Sequence, residues 1–224
     1  MRIALEKRDS KSRRMAVIIP LASFVISLIL GALVLAASRS NPLQAYQAMF
    51  NGAFGNARRF QYTVVEALPL LMCGLGVGIA FRLKFWNIGA EGQYVWGAIG
   101  ITWVMQFWKF VPIPMLLPIG LLVGMILGAL WAGVPGFLKA QWSVDETLTT
   151  LMLNYVAIGL AEYLYINAWK APFGNMGTPE FPRETWLPPV WGKIHSGIYI
   201  ALALVVILYF LLYKTRWGFE LNMI

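Results

Sequence analysis

From Met15 to Ser38 the chain carries no charged residue. A run of that length exceeds the ~20 apolar residues that cross the hydrocarbon of a bilayer. Because no water reaches the peptide groups there, such a run has to close its hydrogen bonds within a helix. Further apolar runs follow at Tyr62–Phe81, Tyr94–Trp108, from the turn at Pro112, Pro114 and Pro118 to about Phe137, Thr147–Ile166 and Ser196–Tyr213. Together they predict an all-α, polytopic helical membrane protein with about six transmembrane helices. A signal peptide is the other reading of the first run, since Ala36-Ala37-Ser38 would suit cleavage, but its apolar core would be only about 7–15 residues long. Composition agrees with a membrane chain. Of the residues, 59% are hydrophobic and 12% charged, against a charged share of about 25% in soluble domains.

The organisation expected is a cytoplasmic N-terminal tail over 1–14, a transmembrane domain over 15–213 and the start of a cytoplasmic segment over 214–224. With the N-terminus inside, the cytoplasmic connections hold the basic residues of the tail with Arg82, Lys84, Lys139, Lys214 and Arg216. The outer ones hold Arg39, Arg58, Arg59, Lys109, Lys170, Arg183 and Lys193. The inner set is larger although the outer loops are longer, so the positive-inside rule favours this orientation in the cell membrane. The net charge of +8 does not read as a nucleic-acid surface, because the basic residues are scattered over short connections and form no single patch. The segment 167–195 is rich in Pro and Gly, among them Pro172, Gly174 and Gly177, and reads as a long loop.

Several chemistries are excluded. The lone Cys73 lies in an apolar run and admits neither a disulfide nor a thiolate metal site within the chain. His195 has no second His or Cys cluster to complete a metal site. Gly192-Lys193 is followed by Ile194 and lacks the upstream glycine of a phosphate-binding loop, so ATP hydrolysis within this chain is not expected. No Ser/His or paired-carboxylate arrangement suits an intramembrane hydrolase. No cofactor and no metal is expected here.

Against this apolar background the stretch Phe85–Gln93, FWNIGAEGQ, needs a reason. An ionisable residue at bilayer depth costs roughly 2.5–3.5 kcal/mol on insertion scales and tends to face a bundle interior, a partner or a water-filled path. Tyr94–Trp108 is also short for a span, so part of Asn87–Gln93 is expected at membrane depth, as a broken helix or a helix start at Gly89 and Gly92 that at least partly buries Glu91. If a helix continued through them, Asn87 and Glu91 would share a face. Asn87, Glu91, Gln93, Asn154 and Glu66 are the candidates for a substrate pathway, with Thr150 and Glu162 as further polar residues in spans. The alternative is interhelical hydrogen bonding, at about 0.6 kcal/mol per contact. Trp86 and Tyr94 suit stacking on a ring-shaped solute or anchoring at the interface.

Two local signals concern structure. Gly120, Gly124, Gly128 and Ala132 recur every four residues, a small-residue face for close helix packing. Asn41-Pro42 reads as an N-cap with proline at the first helical position, opening a short helix that carries Leu43, Tyr46, Met49 and Phe50 at helical spacing.

Three stretches carry a family resemblance: Phe85–Gln93, then Glu146–Tyr155 (ETLTTLMLNY), then Thr215-Arg216-Trp217-Gly218. The chain resembles the permease subunits of binding-protein-dependent ABC importers, in the group that includes ribose, branched-chain amino acid and nucleoside permeases. The NIGAEGQ and TLMLNY wording is most similar to the nucleoside, or basic-membrane-lipoprotein-linked, branch. The resemblance implies a second permease subunit, cytoplasmic ATP-binding subunits that use the ATP, and an extracytoplasmic solute-binding lipoprotein. It also implies that the segment after Thr-x-Trp-Gly continues into a coupling element and further spans, so the chain is expected to be the N-terminal part of a longer permease. A sugar permease of the same group and a non-transporting membrane scaffold are the competing readings.

Overall fold

The computed structural model describes residues 15–172 and 177–223. The tail 1–14, Gly174 of the breaker-rich loop and the final Ile224 lie outside the described residues. The chain divides after Thr63 into two compact units.

In the first unit, α1 (Met15–Ala37) buries none of its residues. It ends in a left-handed residue, Arg39 at φ 58°. There the Ser40 amide donates to Leu35 O and the Arg39 amide to Ala36 O, which satisfies carbonyls that the helix end would leave open. Helix α2 (Pro42–Phe54) opens on Asn41, whose side-chain oxygen accepts from the Leu43 and Gln44 amides, with Pro42 at the position where a missing N–H costs nothing. The Tyr46 hydroxyl donates to Leu28 O at 2.6 Å and ties α2 to α1.

The second unit holds most of α3 (Ala57–Arg82), then α4 (Ala90–Phe107), α5 (Ile113–Trp142), α6 (Glu146–Tyr163), α7 (Gly197–Lys214) and α8 (Arg216–Met223). Its packing centre is the α4/α5 pair, where Val104 and Met105 of α4 meet Leu116 of α5. The two helices approach closely because small residues face each other. A Cβ on Gly124 would lie 2.8 Å from Gly97 O, one on Gly100 3.1 Å from the Gly124 Cα, and one on Gly128 3.0 Å from Gln93 O. A Cβ on Gly120, at the far end of that row, would meet nothing nearer than Met105 Cε at 3.4 Å. Trp96 of α4 stacks on Trp131 of α5 at 4.7 Å between centroids.

Among the described residues, α1, α3, α5 and α7 are long and apolar enough to cross a membrane. The sequence count of six included α4 and α6 as well. Each is as long as α7, at 18 residues, but each carries polar residues that lower its hydropathy, Glu91 and Gln93 in α4 and Asn154 and Glu162 in α6. The segment 167–195 also departs from the featureless loop expected. A π-helical stretch, Leu164–Ala168, prolongs α6. A 3-10 turn at Arg183–Thr185 precedes an antiparallel pair, β1 (Pro189–Trp191) and β2 (Ile194–His195), joined through Gly192 at φ 59°. Residues 216–223, read only as the start of a cytoplasmic segment, form α8.

Candidate functional site

The site is built where α3 stops and α4 has not yet begun. α3 ends as α1 does. Lys84 takes φ 51°, its amide donates to Phe81 O and the Phe85 amide to Ala80 O, so the chain leaves the helix in a fixed direction. Helix α4 starts at Ala90 with Gly89 as its N-cap, and Gly89 offers no side chain to cap it. Between the two helices the peptide groups of Trp86–Gly89 lack a helical ladder. Buried amides and carbonyls left in that state would each cost about 1–3 kcal/mol.

Helix α6 supplies the partners. Its N-cap Asp145 accepts from the Leu148 amide at 2.8 Å and fixes where the helix starts. From there Glu146, Thr150 and Asn154 fall four residues apart and present one face. Glu146 Oε1 accepts from the Trp86 amide at 3.4 Å. Thr150 Oγ1 accepts from the Ile88 amide at 3.2 Å and donates to its own helix at Glu146 O, 2.7 Å. Asn154 spans the break: its Oδ1 accepts from the Gly92 amide at 2.8 Å and its Nδ2 donates to Ile88 O at 2.9 Å. The broken strand of α4 is thus held by one face of α6, carboxylate, hydroxyl and amide in succession. Gly92 is required by this contact, since a Cβ there would lie 2.7 Å from Asn154 Oδ1 and 3.1 Å from its Cα. Gly89 is similarly enclosed, since a Cβ there would lie 3.0 Å from Thr150 Cβ.

Asn87 completes the turn from within. Its Oδ1 accepts from the Gly89 amide at 2.8 Å, and its amide pairs with that of Gln93, Gln93 Nε2 donating to Asn87 Oδ1 at 3.2 Å and Asn87 Nδ2 to Gln93 Oε1 at 3.4 Å. At the polar end of α6, Lys139 Nζ lies 2.6 Å from Glu146 Oε1 and 5.3 Å from the Phe85 ring. The hydrogen bond from Lys139, followed by the Glu146 backbone amide, holds the Glu146 carboxyl below the usual carboxylate range.

The sequence-selected residues therefore separate. Asn87, Gln93, Thr150 and Asn154 come together, and Asn87, Thr150 and Asn154 are buried. Glu91 does not join them. It stands in the first turn of α4 with its side chain exposed, so the expected burial of Glu91 is not met. The reason is the helix start: Asn87 precedes the N-cap, the helix that would have put Asn87 and Glu91 on one face is absent, and Asn87 turns inward to the break while Glu91 turns outward. In the first turn a carboxylate is favoured by the helix dipole without burial. Glu66 on α3 and Glu162 on α6 are also exposed and take no part in this cluster.

A second group is only partly legible in the sequence, which singles out Glu91 and Tyr94 and misses the residues that follow them on the same face. Continuing from Glu91 along α4, Tyr94, Ala98 and Thr102 follow at steps of three and four and lie on the same helix face. Beside this face is a cavity of about 280 Å³ lined by Tyr94, Thr102, Tyr165, Trp169 and Thr178 among others. Towards α5 lies another of about 450 Å³, lined by Gln93, Tyr94, Gly97, Gly124 and Gly128 among others. Tyr94 borders both and is 55% exposed. Tyr94 is legible in the sequence as a ring suited to stacking or interface anchoring, whereas Thr102 reads as an ordinary span residue without the cavity beside it.

Residues 60–224 match the family model described as branched-chain amino acid transport system / permease component. Over 92% of its length the chain is 34% identical to the glucose ABC transporter permease protein of Haloferax volcanii, of which the match covers 57%. It is 32% identical to a guanosine ABC transporter permease protein of Bacillus subtilis, over 92% of this chain and 60% of that one. To the nucleoside ABC transporter permease protein of Lactococcus lactis it is 27% identical, over 96% of this chain and 61% of the other. The chain thus spans about three-fifths of the length of these curated relatives. No solved structure matches it.

Proposed function

Because the chain belongs to the family of branched-chain amino acid transport system permease components, we propose that it serves as the membrane-spanning permease subunit of an ABC importer for nucleosides or related ring-bearing solutes. In this reading it acts with a second permease subunit, cytoplasmic ATP-binding subunits that consume the ATP, and an extracytoplasmic solute-binding lipoprotein. Its N-terminus is cytoplasmic. The observation that carries the reading is similarity to guanosine and nucleoside permeases along nearly the whole chain, in a multi-pass membrane protein whose non-helical stretch before α4 is braced by α6. Backbone at membrane depth leaves the helix only where protein encloses it or a water-filled cavity lies beside it. The clamp from α6 meets the first condition, and the cavities beside Tyr94 leave room for the second.

A sugar permease is the second reading, favoured by the similarity to a glucose permease. Uptake of labelled guanosine and of labelled glucose, by the full-length permease assembled with its ATP-binding subunits and lipoprotein, decides between them. ATP-dependent guanosine uptake that excess nucleoside abolishes and excess glucose leaves intact is the expected result. Uptake of glucose without uptake of any nucleoside would replace the first reading by the second. Orientation is read separately by thiol labelling of Ser10→Cys, which is expected only after the membrane is opened.

A further inference from the structure

The polar groups around the break of α4 are consumed by the protein itself, but those one face further round are not. Tyr94, Thr102, Tyr165 and Thr178 line one cavity of about 280 Å³, and none of their hydroxyls makes a hydrogen bond among the described residues. Thr102 is telling. A helical threonine can bond back to the carbonyl one turn earlier, as Thr149 and Thr150 do here at 2.7 Å, yet Thr102, a lining residue of the cavity, makes no such bond. The opposite wall is the π-helical stretch Leu164–Ala168, which supplies Tyr165 and is followed by Trp169. Such π segments are rare and recur at functional sites. Trp169 is held by its amide, which donates to Leu164 O at 2.7 Å, and by its ring, 5.8 Å from that of Phe107.

We infer that this cavity, on the α4 face that also bears Glu91, is a station for an uncharged, hydroxylated heteroaromatic solute, a nucleoside in preference to a nucleotide. The inference rests on the permease reading above. Its volume is close to the lower end of the roughly 300–1,000 Å³ of small-molecule sites, in keeping with a ligand of one or two rings. Tyr94, Tyr165 and Trp169 offer ring faces for stacking, and the unspent hydroxyls offer both donors and acceptors for ribose and base edges. Glu91, one turn before Tyr94 on the same face, is an exposed carboxylate with no ion pair among the described residues. A negative charge one turn from the cavity repels phosphate esters and accepts a hydrogen bond from a hydroxyl or ring N–H of a neutral solute.

The test places cysteines on the face in the full-length transporter, with Cys73→Ala removing the native thiol. Ala98→Cys and Thr102→Cys are small changes at two independent positions, and Leu122→Cys, exposed on α5, serves as the comparison. A water-soluble thiol reagent is expected to modify Ala98→Cys and Thr102→Cys but not Leu122→Cys. Guanosine is expected to slow modification at least fivefold, with GMP and glucose without effect. In the same preparation wild-type guanosine uptake is measured. Where wild type imports guanosine, absence of modification at both positions, or modification that guanosine leaves unchanged, overturns the station and leaves the permease reading standing. Equal protection by GMP overturns the exclusion of phosphate esters assigned to Glu91. Where wild type imports no nucleoside, the functional reading falls and the solute class assigned here falls with it.

Discussion

Two groups of polar side chains lie at the start of α4 and along its adjoining face, and they differ in how their hydrogen bonds are used. Asn87, Gln93, Thr150 and Asn154 are paired with one another or with the backbone of residues 88–92. Glu91, Tyr94 and Thr102, on the adjoining face, have no such partners among the described residues. Polarity inside an apolar chain is costly in both cases, but the compensation differs. For the first group the interrupted backbone is sufficient reason, since peptide groups that leave a helix must find partners. For the second group the fold gives no internal reason, and a solute is the compensation proposed. The comparison separates side chains that make the break possible from side chains that use the space it opens.

The largest expected effect is on the clamp. Asn154→Ala removes at once the acceptor of the Gly92 amide and the donor to Ile88 O, leaving the buried Gly92 amide unpaired at about 1–3 kcal/mol and a partly buried carbonyl without its donor. The folded, detergent-stable amount of transporter should fall steeply, measured by fluorescence size-exclusion and thermal unfolding. Gly92→Ala should behave alike, because its Cβ would press on the Asn154 side chain and backbone. Gly124→Leu should follow, by forcing α4 off α5 where Gly97 O lies against it, an overpacking cost of about 1–3 kcal/mol. A normal yield and melting temperature for Asn154→Ala would break the comparison, since the clamp would then have no structural task.

The sharper test sets Asn87→Ala beside Glu91→Ala. The first is expected to lower folded amount and uptake together, because Asn87 holds the Gly89 amide and Gln93. The second should leave the folded amount unchanged and reduce nucleoside uptake roughly tenfold, the size of one hydrogen bond to a charged group at about 1.5 kcal/mol. Parallel losses in both variants would place Glu91 in the structural group, and wild-type uptake by a well-folded Glu91→Ala would remove it from the pathway. Either result redraws the boundary between the two groups.

How far the sequence discloses this arrangement follows from which interactions are local. The uncharged runs, the N-cap at Asn41 and the all-α class depend on composition and nearest neighbours, and they are legible from the residues alone. The small-residue row of α5 is legible too, but its partner is not. That Gly124 backs onto Gly97 depends on helix pairing, and no spacing within α5 states it. Glu91 shows the limit most plainly. Its charge marks the segment as unusual, but whether it turns inward depends on where α4 begins, and that start is fixed by side chains of α6 some 60 residues later. Thr102 is the converse case, inconspicuous in sequence and conspicuous only beside a cavity with its hydroxyl unspent.

The smallest effect expected lies at the polar end of the clamp. Glu146 holds the Trp86 amide only at 3.4 Å and is paired with Lys139, whose side chain is 40% exposed, and pairs so accessible to solvent contribute little. Glu146→Gln keeps an oxygen for the Trp86 amide and loses the ion pair, so its melting temperature should stay close to wild type, while Glu146→Ala loses both and should fall further. The pH dependence has a definite sign. The folded-state carboxyl sits below its ordinary range, so the stabilisation is complete at neutral pH and is lost as pH falls below the unfolded value of about 4.3 and through the lower folded one. Wild type and Lys139→Gln should therefore differ slightly at pH 7 and converge in acid. A drop for Glu146→Gln as large as that for Asn154→Ala would show that the break is held from its charged end, and the order of the clamp would be reversed.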